Sequence, residues 1–417
     1  MPAQAPALLS PDAAAGLAEE AFTLIRDNAL TAPDTTAVLR AALAGARQVL
    51  TNAGIIPPPL PVLNGSAGDL PAVVAYVRTA GALYQPQSLD VLTVVVLRSM
   101  IRETGDPLGA IFLPADFARF IAVLRGERGG VGLQVDALPA GMTVIELIEA
   151  GPAARSGVLV GDVITDVDGA AVRGRTPDQV MEMLGGRVES AVILGLSRGG
   201  QFLRVPVTRE QVRTIPVRAR MIESRIGYIR LLEFSEGSAK DIARALERVL
   251  AAGAGAVLLD LRSNGGGLVD DAVDIASHFL PVGLVAVEER RAGPLMLLVQ
   301  PATPRFQGPM AVLVNGGSAS ASEIVAGALQ DVGAPLVGAR TYGKGTVQTI
   351  YTLDADWGLR LTTARYRTRA GRAVDGVGLP PDVVVLMSAA QVQATDDTQM
   401  GAALQLLRSR LQSARSP

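Results

Sequence analysis

The sequence contains no cysteine, a single histidine and only two lysines, Lys240 and Lys344, among its 38 basic residues. Without cysteine there is no disulfide, no thiolate zinc site and no cysteine nucleophile. With His278 alone, histidine-rich metal sites are excluded and any Ser-His-Asp triad would have to use that one residue. Its setting, "AVDIASHFLP", is a helical pattern in which it reads as packing or as a cap near the helix end. Aromatic residues are scarce at 4% against 49% apolar, which points to an aliphatic core of Ala, Val, Leu and Ile. No run of roughly 18 uncharged apolar residues occurs, and "LDVLTVVVL" is far too short to span a bilayer. The opening "MPAQAPALLSPDAAAGLAEE" has neither a basic n-region nor an apolar h-region, so the chain reads as soluble, or as a mature form whose signal was removed. A formal charge of −2 gives no field that would draw nucleic acid or an anionic membrane.

What is present is long enough, at 417 residues, for two or three domains. Residues 1–128 carry Ala- and Leu-rich helical spacing, as in "AEEAFTLIRDNAL" and "SLDVLTVVVLRSMIRE", interrupted by the Pro-rich "IPPPLPVLNGSAGDLP". From Gly129 the texture changes to short apolar runs between Gly-rich turns, with one short helix in "TPDQVMEMLGG" opened by Thr176 as N-cap and Pro177. This 129–213 segment predicts a small, partly open β-barrel or sandwich. Residues 214–388 alternate strand, Gly-rich loop and helix: "AVLLDLRS" then "NGGG", and "MAVLVN" then "GGSAS". Both loops therefore fall at the carboxyl ends of strands, the ligand edge of an open α/β sheet. In the helix between them and the preceding strand, Ile242, Leu246, Val249 and Leu250 share one face. Residues 389–417 predict a further amphipathic helix.

Three stretches carry candidate chemistry. "GARTYGKGTVQ" (338–348) lies one residue from a P-loop, but Gly345 stands where a magnesium-binding hydroxyl is needed and "TVQTIYTL" alternates like a strand rather than a helix. A solvated turn is the plain alternative, yet in a chain so biased to Arg a turn would accept Arg. An ammonium, unlike a guanidinium, loses its proton readily once desolvated, which makes Lys344 a candidate general base. "NGGSASASEIVAGAL" places Ser318, Ser320 and Ser322 between a buried strand and a helix start, where a serine is either a cap, with Glu323 closing a capping box, or a nucleophile beside free backbone N–H groups. "DLRSNGGGL" (260–268) is either a flexible turn or a source of N–H groups that approach a substrate carbonyl closely. Asp270, Asp271 and Asp274 read as dipole-favoured first-turn acids rather than a metal site. No Ser-x-x-Lys pattern occurs, so a Ser and a Lys would have to meet from separate loops.

At these motifs, together with "GDPLGAIFLPADFARFI", "GGVGLQV", "GPAARSGVLVGDVITDVDGAAV", "GLRLTTARYRTRAGR" and "GVGLPPDVVV", the chain resembles the carboxyl-terminal processing proteases, Ser-Lys endopeptidases that carry a PDZ domain. The resemblance runs in family order over residues 20 to 385, departing at "GDPLG" and "NGGG" and in a shorter loop between Ser320 and Lys344. It implies a multidomain α/β chain: a helical N-terminal region, a PDZ domain, a ClpP/crotonase-like protease core and a C-terminal helix. Ser320 would be the nucleophile, Lys344 the general base and Gln348 the residue that orients it. The oxyanion hole would use the N–H of Ala321 and of Gly266 or Gly267, and Gly130, Val131, Gly132 and Leu133 would bind a substrate carboxylate. The resemblance also implies protein or peptide substrates with free C-terminal tails, no cofactor, no nucleic acid, a possible homo-oligomer and an extracytoplasmic setting. A PDZ-based scaffold with a silent or gated protease domain is the rival expectation.

Overall fold

The computed structural model describes residues 9–84, 88–138, 140–301, 306–387 and 397–413. Four helices open the chain: α1 (Pro11–Asn28), α2 (Thr35–Asn52), α3 (Asp69–Tyr84) and α4 (Leu89–Glu103). Ser10 and Asp34 cap the first two, their side chains accepting first-turn N–H groups that would otherwise lack partners. Their apolar stripes meet in one core, and among the described residues no fifth helix closes it. Trp357, Leu359 and Leu361, from the far end of the sequence, fill the remaining side. A short strand, β1 (Ala110–Phe112), pairs with the same distant segment, so the N-terminal region is helical but not wholly so.

After α5 (Pro114–Leu124), β2 (Glu127–Gly130) pairs antiparallel with β9 (Glu210–Arg213), a two-stranded stalk that brackets the second domain. Within it lie β3 (Leu133–Leu138), β4 (Gly141–Leu147), α6 (Pro152–Arg155), β5 (Val163–Val167), β6 (Ala170–Ala171), α7 (Pro177–Leu184), β7 (Ala191–Arg198) and β8 (Gln201–Thr208). The strands run in the order β3-β4-β5-β7-β8, which leaves β3 at an edge. Thr176 and Gln179 cap α7 reciprocally.

The third unit holds a six-stranded sheet in the order β10-β11-β12-β15-β16-β19. Its strands are β10 (Val217–Glu223), β11 (Ile226–Leu231), β12 (Ala256–Asp260), β15 (Met310–Val314), β16 (Leu336–Gly338) and β19 (Val383–Val384), parallel except for the β10–β11 hairpin. Because both faces are covered, "AVLLD" is apolar throughout: Val257 and Leu259 face α8 (Ser238–Ala251), α9 (Val269–Ser277) and α10 (Ala321–Gln330), whereas Ala256 and Leu258 face the C-terminal α11 (Thr398–Ser413). On α8, Ile242, Leu246 and Val249 are buried and Leu250 only partly so. The stretch 388–396 that leads into α11 lies outside the described residues. A second sheet, antiparallel, is made of β1, β13 (Leu284–Arg290), β14 (Gly293–Leu298), β17 (Thr346–Thr352) and the long β18 (Gly358–Thr368). It packs over α10. Gly327 of α10 permits this contact, since a Cβ there would stand 2.8 Å from Thr368 Cγ2.

Candidate active site

Strand β15 ends in a tight loop, 315–319, that leads to Ser320, the N-cap of α10. The three serines of this loop have different environments. Ser318 Oγ donates to the Leu261 carbonyl at 2.8 Å and accepts the Asn315 N–H, while Ser322 Oγ donates to the Asn264 carbonyl at 2.8 Å; both residues are fully buried. These two hydroxyls bind the serine loop to the neighbouring 260–268 loop. Asn315 adds to the tie, its Oδ1 accepting the N–H of Ser263 and of Gly317. Among the described residues Ser320 Oγ alone of the three donates to no protein group; it faces the Glu323 N–H in the capping box and is partly exposed. Ser320 sits at φ +58° and ψ −118°, a conformation that costs on the order of 1–3 kcal/mol for a non-glycine residue and is held by its surroundings.

The glycine loop lies directly against this serine. A Cβ on Gly266 would stand 2.8 Å from Ser320 Cβ and 3.0 Å from Ala321 N, so only glycine permits the approach, and its φ of +99° also favours glycine. The Gly266 N–H is committed to Asn264 Oδ1 at 2.9 Å. The N–H groups of Gly267 and Ala321 have no partner among the described residues, although the flanking Phe234 and Leu268 N–H groups are paired across the Phe234–Gly267 bridge. Two donors without partners thus lie in the adjoining loops, one on Ala321 next to the serine and one on Gly267 next to the abutting Gly266.

Glu323 goes beyond the cap expected of it. It is fully buried, and its Oε2 accepts the backbone N–H of Ser320 at 2.9 Å and that of Lys344 at 2.9 Å. Its Oε1 accepts the Gly343 N–H at 2.8 Å and the Thr341 hydroxyl. One carboxylate therefore fixes the backbone of its own loop and that of the lysine loop, 21 residues further along the chain. Tyr366 on β18 reinforces the junction, its hydroxyl lying 3.1 Å from the carbonyls of both Ser320 and Lys344. Burial first, then the charges of Glu323 and Asp375, push the Tyr366 phenol well above its ordinary range, so it stays a donor.

Lys344 is half-buried. Burial, and secondarily the Arg360 guanidinium, lower its amine below the ordinary lysine range, the direction a general base needs. The segment after it is strand β17, so the helix that a phosphate loop requires is absent there. Ser320 Oγ and Lys344 Nζ are not hydrogen-bonded to each other, and Gln348 donates to Thr346 Oγ1 at 3.0 Å and Thr362 Oγ1 at 3.4 Å rather than touching Lys344. His278 follows α9, its Nε2 3.3 Å from the Ala239 carbonyl, and Asp271 accepts from the Ser238 hydroxyl and the Ala239 N–H; both are structural. Among the described residues no cluster of acids or histidine has the arrangement of a metal site. No described helix is long and apolar enough to cross a membrane.

A groove of about 690 Å³ runs between the edge strand β3 and α7 of the second domain. Leu133, Val135, Ile148, Met181 and Leu184 line it with apolar surface, together with Ile215 and Leu232 of the third unit. At one end is the 130–133 loop. Gly130 ends β2, the carbonyls of Val131 and Gly132 accept from Ala153 and Ile148, and the N–H groups of Val131 and Gly132 have no partner among the described residues. Gly132 adopts φ +75°, which turns the chain into β3. An unpaired strand edge with free N–H groups at its head suits an extended peptide ending in a carboxylate.

Of the residues singled out in the sequence, the structure brings together Ser320, Ala321, Gly266, Gly267 and Lys344; Gln348 lies on β17 and is not hydrogen-bonded to Lys344. Tyr366, Thr341 and the bridging role of Glu323 escaped sequence reasoning. The quoted "ARYRTRAGR" and the Ser-x-x-Glu spacing were the available signals.

The fold and site define a PDZ-bearing member of an α/β peptidase class. Residues 225–385 match the model of Peptidase family S41, and residues 129–208 match that of a PDZ domain. The chain is 33% identical over 327 residues to a carboxyl-terminal-processing protease of Synechocystis sp., covering 76% of this chain and 77% of the relative. It is 37% identical over 270 residues to a carboxy-terminal-processing protease of Bartonella bacilliformis, covering 63% of this chain and 62% of that relative's length. Among solved structures, a photosystem II D1 C-terminal processing protease superposes with a TM-score of 0.52 at 26% identity, covering 94% of this chain and 97% of that one. The protein belongs to the carboxyl-terminal-processing protease family.

Proposed function

We propose that the protein is a serine endopeptidase that captures the C-terminal tail of a protein in its PDZ groove and cleaves nearby with a Ser320–Lys344 dyad. The observation that carries this reading is the environment of Ser320: among the described serines of its loop the one whose proton is not donated, close to N–H groups without partners, and locked through Glu323 to the loop that carries a half-buried lysine. The neutral Lys344 amine takes the Ser320 proton as Oγ attacks the scissile carbonyl carbon. Ala321 and Gly267 donate to the developing oxyanion. Lys344, now ammonium, returns the proton to the leaving amine as the C–N bond breaks, and then serves as base for the water that releases the acyl group. The dyad must close to hydrogen-bond distance when substrate arrives, which is common because catalytic hydrogen bonds tighten in the Michaelis complex.

The open dyad also favours a gated enzyme, in which tail binding completes the site. Labelling by a fluorophosphonate and digestion of casein test both readings. The wild type is expected to be labelled and active, faster with an added apolar-tailed peptide, and Ser320→Ala, Lys344→Ala and Lys344→Arg to be inert, the last because charge is kept while basicity is lost. Full activity in Ser320→Ala or Lys344→Ala would overturn the assignment. Tail binding with no labelling under any condition would make the protein a PDZ scaffold.

A further inference from the structure

The "GDPLG" loop between α4 and β1 has contacts that the proposed mechanism does not yet use. Asp106 Oδ2 accepts the Thr362 N–H at 2.8 Å, and its Oδ1 accepts the Thr362 hydroxyl at 2.9 Å and the Leu108 N–H at 2.9 Å. Thr362 stands directly opposite Gln348 in the β17–β18 ladder, where the register skips Thr363 between Val347 and Gln348. Irregularities of this kind re-aim side chains beside active sites.

The direction of this chain of hydrogen bonds follows from its first member. A carboxylate only accepts, so the Thr362 proton goes to Asp106, and Thr362 Oγ1 is left to accept from Gln348. The Gln348 amino group is then used on Thr362 and Thr346, and its Oε1 remains an acceptor. Residues two apart on an extended chain share a face, which puts Gln348 and Thr346 together with Lys344 just ahead of them, and Thr362 together with Arg360. Arg360 is close enough to Lys344 to bias its protonation.

We propose that Asp106 and Thr362 are positioning residues for the base: they hold the Gln348 amide so that its Oε1 accepts a hydrogen from the Lys344 amine and turns the nitrogen lone pair towards Ser320 Oγ. This rests on the Ser320–Lys344 reading above. With the amide reversed, an N–H would face the amine and the lone pair would be misdirected.

Fluorophosphonate acylation of the full-length protein tests the relay without a known substrate, because the maximal rate and the half-saturating probe concentration separate chemistry from binding. Thr362→Val and Asp106→Asn are each expected to lower the maximal rate about tenfold or more, with half-saturation changed less than about twofold, while Thr362→Ser retains the wild-type rate. In a Gln348→Ala background neither substitution should lower the rate further, a non-additivity that a general loss of structure does not produce. Wild-type rates in both variants, or losses that multiply with that of Gln348→Ala, would overturn the relay. If Ser320→Ala and Lys344→Ala are inert while Thr362→Val is unaffected, the relay alone fails; if either is active, the dyad fails with it.

Discussion

Glu323→Gln is the sharpest test of how the two halves of the site are joined. The substitution preserves shape but replaces one carboxylate oxygen with an amino group. All four partners of Glu323 donate to it, two on each oxygen. The favoured amide keeps its oxygen on the Ser320 and Lys344 N–H groups and turns its amino group to the Thr341 hydroxyl, which can accept, so the Gly343 N–H is set against a donor and loses its bond. A hydrogen bond to a charged acceptor contributes about 1.5–3 kcal/mol. Removing the buried charge also removes its desolvation cost, which favours the middle of that range, about 2 kcal/mol. For a domain of 150–250 residues this lowers the melting temperature of the core by roughly 4–8 °C. Scanning calorimetry of the full chain, resolving the core transition from that of the PDZ domain, measures it. Fluorophosphonate labelling below the melting point should fall with it, because the neutral amide holds the Ser320 and Lys344 N–H groups less tightly and no longer holds Gly343. A variant that melted within about 2 °C of wild type and was labelled at the wild-type rate would refute the reasoning.

Two further predictions follow from the same geometry. Arg360→Met keeps the aliphatic stem but removes the positive charge that, after burial, lowers the Lys344 amine. The base form of Lys344 is the neutral one, so the acid limb of the pH–rate profile should move to higher pH and activity near neutrality should fall; an unmoved limb would remove Arg360 from the account. Gly266→Ala places a Cβ 2.7 Å from the Ala319 carbonyl oxygen at a φ of +99°. It should lower the maximal rate about 10²–10³-fold by displacing an oxyanion donor while PDZ tail binding, read by fluorescence anisotropy, stays unchanged.

Much of the architecture was legible along the chain because it rests on local pattern. The 3.6-residue periodicity gave the helices, Thr176 and Pro177 gave the start of α7, and the continuously apolar "AVLLD" gave a strand buried on both faces. The closing of the helical core by Trp357, Leu359 and Leu361 was not legible, because a hydrophobic stripe records only that it is covered and not by which distant element. The same holds for Gln348, which the family resemblance placed near Lys344 but whose actual partners, Thr346 and Thr362, depend on strand register.

The sequence by itself determined which chemistries were possible: no thiol, one histidine and a glycine-flanked lysine in an arginine-rich chain left a serine and a lysine from separate loops. It did not determine which of three serines was free. That was decided by the tertiary structure, since Ser318 and Ser322 spend their hydroxyls on carbonyls 57 and 58 residues away and Ser320 does not. Hydrogen-bond commitment is a property of what surrounds an atom in space, and the partners of these hydroxyls, like the four donors around Glu323, come together only when the chain has folded.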